Sequence, residues 1–208
     1  MSSSTFALDE VVLGLVKGVK ILDVGCGIGK WGNLIKVFDS VGFTLWGHIG
    51  DFEAPELVGI DISVEYLKKA KQIYDSVVRC SSTHLPFITN SFDTVLASET
   101  IEHIPYSAGF KLILESQRVS RKTVIITTPP PRTVTLCPEH IASWKPTDFK
   151  KLGFKVYGVR FYPRFASRNI LIQLLIAFLI GPLSYWFPSL SSDIVAVKML
   201  DAKNSPNS

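Results

Sequence analysis

The sequence predicts an α/β protein built on one mostly parallel sheet with helices on both faces. Three observations carry that prediction. Short Val- and Ile-dense runs alternate with helix-like stretches, as in doubly buried sheets. The first run ends in a glycine loop that turns into a helix, Asp23-Val24-Gly25-Cys26-Gly27-Ile28-Gly29-Lys30. A length of 208 residues suits one domain with an insertion better than two equal domains.

Seven strand-like runs follow in order: Val19 to Val24, Leu57 to Asp61, Val77 to Cys80, Phe92 to Ala97, Thr123 to Thr128, Phe154 to Phe161 and Ile194 to Met199. A helix starts at Lys30-Trp31, where Trp31 packs. Ser63 can cap a second through Val64, Leu67, Ala70 and Ile73. Phe110, Ile113, Leu114 and Gln117 suggest an amphipathic third, with Tyr106 as an aromatic at its start. Thr147, after Pro146, can cap a short fourth that ends near Gly153.

Two regions fit less well. Phe38 to Glu56, with Gly42, Gly47, Gly50 and Pro55, reads as a long connection, and long loops are usually functional or mobile. Asn169 to Ser192 carries no formal charge and includes the run Ile170 to Ile180. The chain therefore divides into a single domain over 1–200, an apolar insertion at 169–192 between its last two strands, and a flexible tail over 201–208.

Composition excludes several classes. Apolar residues reach 47% and charged residues only 19%, which rules out disorder and collagen-like repeats. A net charge of +4 is too mild to predict nucleic-acid binding. Cys26, Cys80 and Cys137 are odd in number and far apart, so neither a disulfide framework nor a thiolate zinc site is expected, and no metal site is foreseen. Met1 to Lys20 has no early Lys or Arg, and Asp9 and Glu10 interrupt its apolar stretch, unlike a secretory signal. A cytoplasmic location is expected.

The glycine loop is the first functional signal. Glycines suit a backbone that turns tightly and lets a ligand approach. Gly27, Gly29 and Gly32 also satisfy the dinucleotide pattern, but the acid ending the second strand, Asp61, lies well beyond the roughly 20 residues that pattern expects. Asp23, just before the glycines, would repel a pyrophosphate and attract a cation. A sulfonium or an ammonium is indicated.

The motif Leu22-Asp23-Val24-Gly25-Cys26-Gly27-x-Gly29 resembles motif I of the class I S-adenosylmethionine-dependent methyltransferases. Gly59-Ile60-Asp61-Ile62-Ser63 resembles their second-strand motif. Leu85-Pro86-Phe87 with Ser91 to Ser98 resembles the fourth-strand stretch of the small-molecule "type 11" domains. Glu99-Thr100-Ile101-Glu102-His103-Ile104, Thr127-Thr128-Pro129, and His140 to Trp144 through Phe154 are similar to the later blocks, in the same order.

The resemblance implies a Rossmann-like, doubly wound, seven-stranded sheet with an antiparallel last strand, and S-adenosylmethionine as cofactor. It further implies that Asp23, Gly25, Gly27 and Gly29 hold the methionine portion, that Asp61 holds the ribose, that the backbone near Ser98 and Glu99 closes the pocket, and that Cys26 and Ile62 also border the cofactor. Where many relatives carry an Asp for the adenine amino group this chain has Ser81, whose hydroxyl can accept a weaker bond.

Residue types then suggest the chemistry. His103 and His140 are candidate general bases, because imidazole titrates near neutrality; structural hydrogen bonding is the competing role. His48 and His84 read as polar loop residues, and Cys26 as a small packing residue. Pro129-Pro130-Pro131 follows the fifth strand, not the fourth, and so is not the motif of adenine or glutamine N-methylases.

Asn169 to Ser192 is long enough to raise a membrane span. Return of Ile194 to Met199 to the sheet would place both its ends in one compartment, and Gly181-Pro182 would break a helix. Surface contact with an anionic bilayer at the inner membrane face, beside Arg160, Arg164, Arg168, Lys145, Lys150, Lys151 and Lys155, is one expectation. Burial against the domain, a homodimer partner or a lipid-like substrate is the other. The expected activity is methylation of a small or lipid-like acceptor. The alternatives are a noncatalytic cofactor-binding or assembly protein and an RNA or protein methylase.

Overall fold

The computed structural model describes residues 6–41, 54–131, 137–161, 185, 187, 188 and 191–200. In chain order these form α1 (Phe6–Leu15), β1 (Lys20–Val24), α2 (Lys30–Val41), β2 (Glu56–Asp61), α3 (Val64–Ala70), β3 (Ser76–Arg79) and β4 (Phe92–Ser98). A 3₁₀ turn (Ile101–His103) follows, then α4 (Tyr106–Val119), β5 (Ser120–Thr128), α5 (Pro146–Lys151), β6 (Lys155–Phe161) and β7 (Ser191–Met199). All seven expected strands are present. They form one sheet in the order β3-β2-β1-β4-β5-β7-β6, parallel except for β7, which runs antiparallel to both β5 and β6.

The alternation of side chains along each strand explains why the strands read as continuous apolar runs. Leu22, Val24, Val95, Ala97, Val124, Ile126, Ile194 and Ala196 point into a core with Leu112, Trp144 and Phe149 from the α4–α5 side. Leu96, Ile125, Val195 and Val197 point the other way, onto Leu8 and Val12 of α1 and onto Trp31 of α2. Beside them Ile21 and Leu57 meet Ile35, Leu67 and Tyr74.

The helices hold two corrections. α1 was not foreseen: Asp9, which seemed only to interrupt an apolar stretch, pairs with Lys30 Nζ at 2.6 Å and ties α1 to the start of α2. The cap of α5 is not Thr147. Lys145 occupies the N-cap with Pro146 at the first helical position, and the Asp148 carboxylate accepts from the Lys145 N–H at 2.9 Å. The Ser63 cap is present, its hydroxyl accepting from Tyr66 N–H at 3.4 Å.

The sheet places the two strands that flank the apolar insertion. Phe161 pairs with Ser191, so the chain leaves β6 and re-enters β7 at adjacent points on the carboxyl edge. Strand β7 already begins at Ser191, which shortens the expected insertion by two residues. Lys155 pairs with Val197, six strand positions from that edge, about 20 Å at 3.3 Å per residue. Lys155, and Lys150 and Lys151 at the end of α5, are therefore remote from Phe161 and Ser191, although Tyr185 within the insertion stacks on Tyr157 and lies within reach of the Lys155 charge. Among the described residues no helix is long and apolar enough to cross a membrane. Residues 42–53, His48, Arg164 and Arg168, the tail 201–208, and most of 169–192 lie outside the described residues.

Candidate functional site at the carboxyl edge of the sheet

The glycine loop follows β1 at the carboxyl edge, where open α/β sheets bind ligands. Gly25 and Gly27 both have positive φ, 77° and 53°. A side chain at Gly25 would collide with Thr100, whose hydroxyl lies 3.1 Å from the Val24 carbonyl and locks the loop to the end of β4. A Cβ at Gly27 would meet nothing within 4 Å. One glycine is required by protein packing, and the other faces open space, the condition for a ligand to reach the backbone.

The loop's N–H groups are already committed. Gly25 and Cys26 both donate to the Ile60 carbonyl, at 2.9 and 2.8 Å, and Gly27 donates to Asp61 Oδ2 at 3.0 Å. A phosphate cradle depends on free N–H groups that converge on an anion. These three cannot serve as one.

Carboxyl groups stand where an anion would otherwise sit. Asp61 is held at the end of β2, its Oδ1 accepting from Ser63 N–H at 2.8 Å while Oδ2 holds Gly27. Each oxygen keeps a lone pair. Asp23 is 2% exposed; Tyr74 OH donates to its Oδ2, and Oδ1 has no partner among the described residues. Burial pushes the Asp23 carboxyl up to about 7, against the Tyr74 hydrogen bond and with help from the Asp61 charge. Tyr74 in turn accepts from Gly32 N–H at 2.9 Å, so one phenol joins β1 to α2. Cys26 is buried with its thiol raised by desolvation, consistent with packing.

The other expected positions divide. Ile62 projects beside Asp61 with 71% of its surface exposed. Ser81, just beyond β3, is exposed, and its hydroxyl accepts from Thr83 N–H at 3.3 Å in a local turn. Ser98 is buried, with Oγ 2.7 Å from Thr127 Oγ1. Glu99 has a left-handed φ of 50°, a strained conformation for a non-glycine residue. Its N–H donates to the Thr127 carbonyl at 3.1 Å and its carboxylate accepts from Thr127 Oγ1 at 3.1 Å.

Beyond Glu99 the two candidate histidines come together. The His103 and His140 rings meet edge to face with centroids 4.9 Å apart. Between them and the sheet lies Glu102, fully buried, whose backbone carbonyl accepts from Ile141 and Ala142. Burial raises both Glu99, to about 7, and Glu102, well above the usual carboxylate range; the Asp193 charge adds to the first and the Glu99 charge to the second. Burial, and then the neighbouring His103, lower the His140 imidazole. Tyr74, Thr100 and Glu102 were not singled out from sequence. Glu102 stood within a quoted motif, but nothing local marks it as buried.

A family model described as a methyltransferase domain matches residues 15–158. The chain is 35% identical over 95 residues to phosphoethanolamine N-methyltransferase 1 of Arabidopsis thaliana, covering 44% of this chain and 17% of that protein. It is 34% identical over 98 residues to demethylmenaquinone methyltransferase of Staphylococcus aureus, covering 45% and 36%. The aligned segments thus span well under half the length of these curated relatives. A solved S-adenosylmethionine-dependent methyltransferase from Archaeoglobus fulgidus superposes with a TM-score of 0.59 at 18% identity, covering 92% of this chain and 94% of that one. At that identity the likeness speaks for the fold alone.

Proposed function

The chain belongs to the class I S-adenosylmethionine-dependent methyltransferases, and from that membership we propose that it transfers the methyl group of S-adenosylmethionine to a small or lipid-like acceptor. The observation that carries this reading is the pairing of spent loop N–H groups with two carboxyls, Asp23 and Asp61, at the same strand ends. Such a surface disfavours a pyrophosphate and favours a cationic nucleoside. The residues fit that cofactor on two counts: Asp23 keeps an unpartnered buried oxygen, and the loop is open at Gly27.

When bound, the cofactor supplies a methyl carbon activated by sulfonium. The chain's own part is alignment, which can contribute ~7 to 11 kcal/mol without a dedicated catalytic group. In this assignment Asp23, Gly25, Cys26, Gly27 and Gly29 hold the methionine end, and Asp61 accepts from ribose hydroxyls through its spare lone pairs. Ile62 offers an apolar face to the base, Ser81 stands at the adenine side, and the backbone at Ser98 and Glu99 closes the pocket. His140, whose imidazole burial lowers, and His103 supply proton-accepting nitrogens at the same edge. The uncharged segment 169–192 is tethered at that edge through Phe161 and Ser191, which supports an apolar acceptor or a lipid surface beside the site.

Calorimetry tests the cofactor. S-adenosylmethionine is expected to bind, NAD is not, and Asp61→Ala should weaken binding at least about tenfold, the loss of one charge-assisted hydrogen bond. Uptake of NAD alone would overturn the assignment. Release of S-adenosylhomocysteine in an acceptor screen that begins with phosphoethanolamine and demethylmenaquinone tests turnover.

A further inference from the structure

Glu102, His103 and His140 each offer a ligand atom, and these atoms all lie within 4.8 Å of one another. We propose that the three side chains form a binding site for a divalent first-row metal ion, with Glu99 beside it.

Three independent features point to a ligand. Glu102 is 0% exposed, and among the described residues neither of its carboxyl oxygens has a partner in good hydrogen-bond geometry, although the Thr128 hydroxyl and the Glu99 carboxyl are within its reach. A buried carboxyl without a partner is costly, and the Glu99 carboxyl beside it adds like-charge repulsion, so a cation between these groups would satisfy both. His140 Nδ1 is likewise buried and unpartnered.

The third feature is the setting of His103. Its Nδ1 lies 3.1 Å from the Glu139 carbonyl. A carbonyl only accepts, so Nδ1 carries the proton and Nε2 is left with its lone pair. A backbone carbonyl that orients a ligating imidazole in this way is the usual outer partner in metal sites. The scaffold is fixed as well: the Glu102 carbonyl holds Ile141 N–H and Ala142 N–H at 2.9 and 3.0 Å, which keeps the loop bearing His140 against the 3₁₀ turn.

Two imidazoles and a carboxylate suit zinc, iron, cobalt or manganese better than magnesium, which prefers an all-oxygen shell. Three protein ligands leave a position open. His103 is exposed, so the open side faces the carboxyl edge, where an acceptor oxygen or nitrogen can enter and lose its proton more readily on the ion. In that arrangement the histidines orient the ion instead of acting as bases.

The test uses the full chain stripped with EDTA and titrated with Zn²⁺, Mn²⁺ and Mg²⁺, read by calorimetry and by the thermal unfolding midpoint. One ion per chain is expected, with Zn²⁺ or Mn²⁺ preferred over Mg²⁺ and the midpoint raised. Glu102→Gln and His103→Gln should each lower affinity at least about 100-fold, since even outer partners cost 10 to 100-fold. Glu102→Gln keeps the shape and removes a buried acid, so the stripped variant stays folded. His103→Gln lies at the surface and gives a second reading. Absence of binding by the unsubstituted chain, or equal binding by both variants, overturns the proposal. S-adenosylmethionine binding measured on the same samples stands apart from either result, so loss of the metal site leaves the cofactor assignment intact.

Discussion

Asp23 shows what a ligand would change at a single residue. Held near pH 7 chiefly by burial, it is mostly protonated at pH 6 and mostly ionised at pH 8. A cationic ligand binds the ionised form, so affinity for S-adenosylmethionine should rise about tenfold from pH 6 to pH 8 and then level off. In the unliganded chain the sign is opposite. The folded value lies above the unfolded one, so ionisation costs stability as pH climbs from about 4 to 7, and that cost persists above it. Asp23→Asn should therefore bind cofactor weakly with no such pH slope, yet unfold at a higher midpoint than the unsubstituted chain at pH 8. A calorimetric titration across pH and a melting series check the two halves separately. The charge and place of Asp23 were legible because it abuts the glycines. Tyr74, which shares its proton, was not, because the sheet and α3 bring together residues far apart in the chain. Glu102 was hidden for a similar reason: the loop carrying Ile141 and Ala142, far along the chain, closes onto its backbone.

At the scale of elements, the central strands were legible because they bury both faces, which writes a dense apolar run into the sequence, whereas the edge strand β3 buries neither and shows only Val77 and Val78. Helix α1 was not, since its charged turn looks like an interruption until Lys30 is placed beside Asp9. The amino edge of the sheet depends on another acid that carried no local signal. Asp93, 2% exposed at the start of β4, accepts from Val19 and Lys20 N–H at 3.0 and 3.1 Å and pairs with Arg121 and Lys122 at 2.8 and 2.9 Å. It binds the entry of β1 to the entry of β5. Burial alone would raise this carboxyl, but the two cations and two N–H groups outweigh it and hold it well below the usual range. Its stabilising effect is full above the unfolded value near 3.9 and is lost as pH falls toward the folded value. Asp93→Asn should cost about 2 kcal/mol at pH 7, below the ~3 to 5 of a fully buried pair because Arg121 and Lys122 are about half exposed. It should also flatten the acid limb of a stability curve measured by urea unfolding between pH 2 and 7. A limb as steep as that of the unsubstituted chain would assign acid sensitivity to other carboxyls.

For the whole molecule, the antiparallel return of β7 between β5 and β6 decides where the uncharged segment acts. The strands that flank it end at Phe161 and begin at Ser191, both at the carboxyl edge, on the side of the sheet that carries the glycine loop and the paired histidines. The sequence showed the segment and its neighbouring lysines but not their separation, because distance along a strand is invisible until register is known. Lys155 lies about 20 Å from that edge, yet Tyr185 of the segment stacks on Tyr157 within reach of the Lys155 charge, and Arg160 immediately precedes Phe161 at the edge itself. Because 169–192 itself carries no formal charge, an interaction driven by it should depend on apolar burial more than on lipid charge. The expected outcome is sedimentation with neutral phosphatidylcholine vesicles nearly as complete as with vesicles containing phosphatidylserine, and little change from 50 to 300 mM salt. Binding confined to the anionic vesicles and lost in salt would assign the contact to basic side chains instead. Material left in the supernatant with both would remove the bilayer and leave the segment to a lipid-like acceptor or to the domain itself.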